Sequence, residues 1–117
     1  MNKEQQQAFS DVARDVFTNA ISKGFHVNDT PPTLDRVATY CANLHGEVSE
    51  LWEAARKGNL NNPCDKKCNL TCAEEELADI VIRALDTAHG LGVDIGRAVH
   101  LKSEYNATRP HMHGKLA

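Results

Sequence analysis

The stretch that decides the fold is VATYCANLHGEVSELWEAA, residues 37–55. Its apolar residues recur at intervals of four, three, four, three and four, the period of a helix that packs along one seam against a neighbour. Pro31-Pro32 precedes the pattern, Thr33 is a suitable N-cap, and Gly58 lies where a helix C-terminus favours glycine. The pattern therefore predicts one helix of about 24 residues. Its seam consists of Val37, Cys41, Leu44, Val48, Leu51 and Ala55.

Three further helices are predicted on either side of this segment. Apolar residues at helical spacing predict a helix over residues 3–22. The capping box Thr71-Cys-Ala-Glu74 predicts the start of a third helix, and Gly90 its end. Asp94 is a suitable N-cap for a fourth helix, which we expect to run to about Thr108.

Composition limits the size of the core. The chain has 117 residues, which fits a single domain over residues 1–117. Leu, Ile, Val and Phe total 25 residues, a small supply of large apolar side chains. No segment alternates apolar and polar residues as a strand does. We therefore expect an all-α fold, an antiparallel bundle of about four helices completed by oligomerisation.

Charge is distributed unevenly along the chain. Residues 1–96 carry 9 basic and 15 acidic residues, whereas residues 97–117 carry 4 basic residues and 1 acidic residue. An acidic body disfavours a reader of duplex nucleic acid, which normally presents an overall basic face. The sequence has no run of 18 apolar residues, and its N-terminus lacks the apolar region of a secretory signal. We expect a soluble, cytoplasmic protein with no membrane partner.

Two pairs of acidic residues adjoin the apolar faces of the second and third helices. Glu47 and Glu50 lie three residues apart and share a helix face, and Glu76 and Asp79 repeat this spacing. If the two helices pack together, four carboxylates converge, and two unit charges about 5 Å apart repel by roughly 3 kcal/mol at an effective dielectric constant of about 20. Oxygen ligands at this density, without His or Cys, suit Mg²⁺, with Mn²⁺ as a substitute. The alternative is that both pairs lie on solvated helix faces.

A basic stretch occupies the C-terminal segment. Lys102, Asn106 and Arg109 are spaced four and three residues apart, so they share one helical face. Tyr105 borders this face, and Lys115 follows in the tail. A lysine, an amide and an arginine are good phosphate ligands. The alternative is a solvated basic face that the dipole of the helix C-terminus stabilises.

These segments together resemble a known family. In chain order they are Gly46-Glu-Val-Ser-Glu-Leu51, Glu75-Glu-Leu-Ala-Asp-Ile-Val81, Lys102-Ser-Glu-Tyr-Asn-Ala-Thr-Arg-Pro110 and His113-Gly-Lys115. The ordered set is similar to the MazG-like all-α nucleoside-triphosphate pyrophosphohydrolases, which carry a Glu-x-x-Glu helix, a linker, a Glu-x-x-Asp helix and a downstream Lys/Asn/Arg segment. The likeness covers residues 34–115, with Gly46 where many members have an acidic residue.

The resemblance implies Mg²⁺-dependent hydrolysis of nucleoside or deoxynucleoside triphosphates to a monophosphate and pyrophosphate, as house-cleaning of the nucleotide pool. It also implies homo-oligomers, either dimers or tetramers. Glu50 is our choice of general base, with Glu53 from the next turn as the alternative. Carried over by position, the metal ligands are Glu47, Glu50, Glu76 and Asp79, and the substrate-binding residues are Lys102, Tyr105, Asn106, Arg109 and Lys115.

Two other functions and one other metal site stay open. A base-selective hydrolase of the dUTP or dCTP type would use the same motifs. In a non-catalytic helical interaction module, the acidic clusters would be surface residues without a catalytic role. Cys64, Cys68 and Cys72 lack the Cys-x2-Cys spacing of zinc sites, so free thiols are expected, with a structural metal as the alternative. Cys41, on the seam, is expected in the core.

Overall fold

The fold consists of helices alone. The computed structural model describes residues 1–26, 32–66 and 68–114, with side chains as far as Met112. These residues contain no strand, and Pro63 and Thr71 form an isolated bridge. The all-α prediction is therefore confirmed for the described part of the chain. The helices are α1 (Lys3–Ser22), α2 (Leu34–Arg56), α3 (Cys72–Gly90) and α4 (Ile95–Ala107), followed by a short 3₁₀ helix at His111–Gly114.

Side-chain caps define where the helices begin. The Thr33 side chain accepts a hydrogen bond from Arg36 N at 3.3 Å, and Asp94 accepts one from Arg97 N at 3.2 Å. Thr71 and Glu74 form the reciprocal capping box that the sequence predicts. These caps satisfy backbone N–H groups that have no partner inside the helix. The helix starts that the sequence predicts at these three caps are therefore confirmed.

Helix α3 is the centre of the arrangement. It packs against α1 on one side and α2 on another, whereas α4 packs mainly against α1. The α1–α4 crossing is close, because a Cβ atom at Gly96 would lie 1.9 Å from the Gln6 carbonyl oxygen. Only glycine permits this approach of the two backbones.

The core of one chain is small. Among the described residues, the buried apolar ones are Ala13, Tyr40, Leu85 and Ala88, and two carboxylates, Glu75 and Asp86, are also buried. No described helix is long and apolar enough to cross a membrane.

The apolar seam of α2 is only partly buried, which corrects the sequence prediction of a fully packed seam. Val37, Leu44, Leu51 and Ala55 are partly buried. Val48 is half exposed and Cys41 is exposed, so neither belongs to the core of a single chain. The α2 face towards α3 carries Tyr40 and Glu47. Tyr40 contacts His26, which in turn contacts Asp86 of α3, and Glu47 pairs with Arg83 of α3. On α3, Leu77 and Val81 are likewise half exposed. Helical period fixes the spacing of a face but does not fix which face meets which neighbour.

A buried polar network joins the three packed helices. The His26 ring follows α1 and stacks on Phe17 of α1 with ring centroids 4.4 Å apart. Its Nε2 lies 2.8 and 2.9 Å from the two carboxylate oxygens of Asp86 on α3, and its Nδ1 lies 3.2 Å from the Tyr40 hydroxyl on α2. Only 5% of the His26 side chain and 10% of the Asp86 side chain are exposed. The sequence analysis did not single out this histidine.

We predict that Gly96→Ala destabilises the fold by about 1–3 kcal/mol, because the new methyl group forces α4 away from α1. Urea unfolding followed by circular dichroism measures the change. Gly46→Ala is the matched control, since a Cβ at Gly46 in α2 meets open space. We expect the control to be neutral or stabilising, because alanine favours helix over glycine. Equal effects of the two substitutions would contradict the close crossing.

We predict that His26→Ala lowers the unfolding free energy by about 3 kcal/mol, because it leaves the buried Asp86 carboxylate without this partner. The exposed His45 on α2 supplies the control substitution His45→Ala, for which we expect a change within about 0.5 kcal/mol. A His26→Ala effect as small as that of the control would show that the network does not hold the helices together.

Candidate functional site

Four carboxylates converge where α2 packs against α3. Glu47 and Glu50 project from adjacent turns of α2, and Glu76 and Asp79 from adjacent turns of α3. One oxygen from each of the four lies within 4.8 Å of the others. Glu50 is exposed, while the other three are partly buried. The convergence predicted from the two i, i+3 spacings is therefore present.

Two oxygens of this cluster have no hydrogen-bond donor. Glu47 Oε2 and Glu76 Oε2 are buried and unpartnered among the described residues. The cationic group paired with the cluster is Arg83, whose Nε lies 3.4 Å from Glu47 Oε1. A buried acceptor without a donor costs about 1–3 kcal/mol, and more when it is charged. A hard divalent cation prefers oxygen ligands that carry negative charge. This cluster offers such ligands, and two of its buried oxygens accept no hydrogen bond from the described residues.

The electrostatics of the cluster favour a bound proton when no cation is present. Burial raises the pKa of Glu76 to about 7, and the neighbouring Glu50 carboxyl adds to the rise. Burial also raises the pKa of Glu47, with further contributions from the charges of Asp79 and Glu50, while the Arg83 guanidinium opposes the rise. A cation that binds here near neutral pH therefore displaces a proton from the cluster.

A cavity of about 550 Å³ opens beside the carboxylates. Glu47 and Asp79 form part of its wall, so the cavity and the cluster are continuous. Its volume lies within the range of about 300–1,000 Å³ that small-molecule sites occupy. Its other lining residues include Asn19, Lys23, Phe25, His26, Arg36, Tyr40, Asn43, Ile82, Arg83 and Asp86.

The sequence analysis missed most of this wall. One signal was available: Tyr40, Asn43 and Glu47 recur at helical spacing and so share a face of α2. Phe25 and His26 gave no comparable signal, because they lie outside any helical pattern. His26 adopts a left-handed backbone conformation with φ of 62°, which turns the chain after α1.

The basic stretch lies elsewhere in the single chain. Lys102 Nζ and Arg109 Cζ lie over the Tyr105 ring, 4.7 and 5.6 Å from its centroid, in cation–π contacts. Asn106 is partly buried, and its Oδ1 has no hydrogen-bond partner among the described residues. None of the described residues that line the cavity comes from α4, because α4 packs mainly on α1. Lys115 lies outside the described residues.

Other acidic residues near the cluster have separate partners. Glu53, the alternative base, is held by Arg56 at 2.8 Å and Lys57 at 3.3 Å, and these cations lower its pKa. Glu75, in the first turn of α3, is buried and pairs with Lys66 of the preceding loop. Neither belongs to the cluster of four.

The cysteines are free thiols. Cys64 Sγ lies 2.7 Å from Cys68 Sγ, whereas Cys72 Sγ donates to the Pro63 carbonyl at 3.7 Å. Within the described residues, the only cluster of metal-ligating groups is the acidic one, and it contains no cysteine.

We predict that, without divalent cations, the unfolding free energy falls as pH rises from about 5 to about 8. The folded-state pKa of Glu76, about 7, exceeds the ordinary value of 4.5, so the folded chain binds this proton more tightly than the unfolded chain does. That stabilisation is complete below the unfolded-state pKa and is lost as pH rises through the folded-state pKa. Urea unfolding in EDTA at several pH values measures it.

The variant Glu76→Gln measures how much of this pH dependence comes from Glu76. Addition of Mg²⁺ tests whether the dependence arises from crowded negative charge in the cluster. The variant is expected to lose part of the pH slope, and Mg²⁺ is expected to stabilise the wild-type chain more at about pH 8 than at about pH 5. Identical slopes in the wild type and the variant would contradict the raised pKa of Glu76.

The chain was compared with family models, curated proteins and solved structures, and none of them matches it. The features of this chain that bear on its function are therefore the acidic cluster, the cavity beside it and the order of the sequence motifs.

Proposed function

We propose that this protein is a MazG-like nucleoside-triphosphate pyrophosphohydrolase, which converts nucleoside or deoxynucleoside triphosphates to a monophosphate and pyrophosphate. The observation that carries the proposal is the convergence of four carboxylates, two with buried unpartnered oxygens, on the edge of a cavity large enough for a nucleoside. The proposed role is house-cleaning of the nucleotide pool in the cytoplasm, with neither membrane nor duplex nucleic acid as a partner.

Mg²⁺ is the proposed cofactor, with Mn²⁺ as a substitute, because each prefers carboxylate oxygen ligands. The proposed ligands are Glu47, Glu50, Glu76 and Asp79. When bound, such an ion would neutralise charge on the triphosphate and lower the pKa of a coordinated water.

Glu50 is the proposed general base. It is the exposed member of the cluster, so its carboxylate can reach solvent and accept a proton from the attacking water. Glu53 is less suited, because Arg56 and Lys57 lower its pKa and occupy its oxygens.

The proposed phosphate ligands are on the basic stretch, which does not line the cavity of its own chain. We propose that they meet the carboxylates in a homo-oligomer, a dimer or a tetramer. Exposed apolar side chains on α2 and α3 support an assembly, because a single chain leaves them in water. These are Val48, Trp52, Leu77 and Val81, all more than half exposed. The proposed ligands are Lys102, Tyr105, Asn106, Arg109 and Lys115.

Two alternatives rest on particular observations. The amide side chains of Asn19 and Asn43 in the cavity wall could distinguish one base edge from another, which favours a base-selective dUTP- or dCTP-type hydrolase. The exposed apolar face of α2 and α3 favours a non-catalytic helical interaction module.

A panel of nucleoside and deoxynucleoside triphosphates, each with Mg²⁺, tests the proposal by following pyrophosphate and orthophosphate separately. We expect a monophosphate and pyrophosphate in equal amounts. Orthophosphate as the direct product would contradict the proposed bond cleavage. Activity confined to dUTP or dCTP would select the base-selective alternative.

We predict that Glu50→Gln and Asp79→Asn each lower kcat/KM by at least about 100-fold, because they remove the proposed base and a metal ligand. Glu53→Gln is the matched control on the next turn of α2, and we expect it to retain activity within about threefold. Circular dichroism melting checks that each variant folds. Full activity in the two cluster variants would favour the interaction module.

A further inference from the structure

The loop between α2 and α3 brings two thiols into contact. Cys64 Sγ and Cys68 Sγ lie 2.7 Å apart, and both residues are free thiols. A disulfide requires sulfur atoms about 2.05 Å apart. The two side chains therefore need to move by less than about 1 Å to form a covalent bond.

Backbone hydrogen bonds hold the two cysteines in this arrangement. Cys64 N donates to the Leu70 carbonyl at 2.8 Å, and Cys68 N donates to the Lys66 carbonyl at 2.9 Å. The Cys64 thiol also donates to the Lys66 carbonyl, at 3.3 Å. These hydrogen bonds therefore fix the backbone positions of both cysteines.

The pair is accessible and separate from the other cysteines. Cys68 is exposed and Cys64 is partly exposed, so a small oxidant can reach a sulfur. Cys72 donates its thiol to the Pro63 carbonyl instead, and Cys41 lies on a different element, α2. The structure therefore singles out one pair among the four cysteines.

We propose that Cys64 and Cys68 form a reversible dithiol–disulfide site that a small-molecule disulfide oxidises. One cysteine, as its thiolate, attacks the small disulfide, forms a mixed disulfide and releases one small thiol. The other thiolate then attacks the cysteine sulfur of the mixed disulfide and releases the second small thiol. Overall, two protein thiols are oxidised to one disulfide and one small disulfide is reduced to two thiols.

Oxidation closes a ring around Lys66. The Lys66 ammonium group pairs with the buried Glu75 carboxylate and also interacts electrostatically with Glu76 of the acidic cluster. The disulfide therefore restrains Lys66, whose positive charge lies at the edge of that cluster. The proposal does not depend on the hydrolase function, because thiol oxidation is measured without substrate.

The test treats the reduced full chain with oxidised glutathione, followed by alkylation under denaturing conditions and mass spectrometry. We expect the intact mass before alkylation to fall by about 2 Da, and two of the four thiols to resist alkylation. Trypsin cleaves after Lys66, between the two cysteines, so a Cys64–Cys68 bond is read directly as two linked peptides from the wild-type chain.

Cysteine variants provide the matched controls. Cys41→Ser and Cys72→Ser are expected to keep the reaction, whereas Cys64→Ser and Cys68→Ser are expected to stop at a mixed disulfide with glutathione. Four alkylated thiols after oxidation, linkage through Cys72 or between chains, or a stoichiometric zinc ion holding these thiols in the purified protein would each overturn the proposal.

Discussion

Packing of α2 against α3 combines a favourable contact with an unfavourable one. Towards one end of this helix pair, His26 bridges Tyr40 and Asp86 in a buried hydrogen-bonded network. Further along, Glu47, Glu50, Glu76 and Asp79 place their oxygens within 4.8 Å of one another. The His26 network holds α2 and α3 together, and in this position the four carboxylates of like charge lie close to one another. The helix pair therefore holds four acidic side chains close together, an arrangement that could bind a cation.

This arrangement bears on the proposed binding of a cation. Because burial raises the pKa of Glu76 to about 7, a divalent ion that bound near neutral pH would displace a proton from the cluster. Helices rather than loops carry all four groups, an arrangement that would keep their geometry constant if an ion bound. The wall of the adjoining cavity comes from α1, the turn that follows it, α2 and α3, and it includes Glu47 and Asp79, so the cavity and the acidic cluster are parts of one unit.

Sequence reasoning predicted the local features well, because they depend on spacing within one helix. The i, i+3 carboxylate pairs and the caps at Thr33, Thr71 and Asp94 are of this kind. Spacing within one helix did not predict which faces of α2 and α3 pack against each other. The predicted seam of α2 is only partly buried, with Val48 exposed, whereas Tyr40 and Glu47 contact the residues that join α2 to α3. No period in the sequence marks a bridging residue such as His26, which belongs to a turn and contacts side chains far away in sequence.

The single tryptophan of the chain, Trp52, has a consequence for studying this protein. Trp52 is 65% exposed on α2, two residues beyond Glu50. Unfolding therefore changes its surroundings little, whereas association through this face would transfer it from water to an apolar environment. Its intrinsic fluorescence is a built-in optical probe for self-association, largely independent of the folding transition that circular dichroism follows.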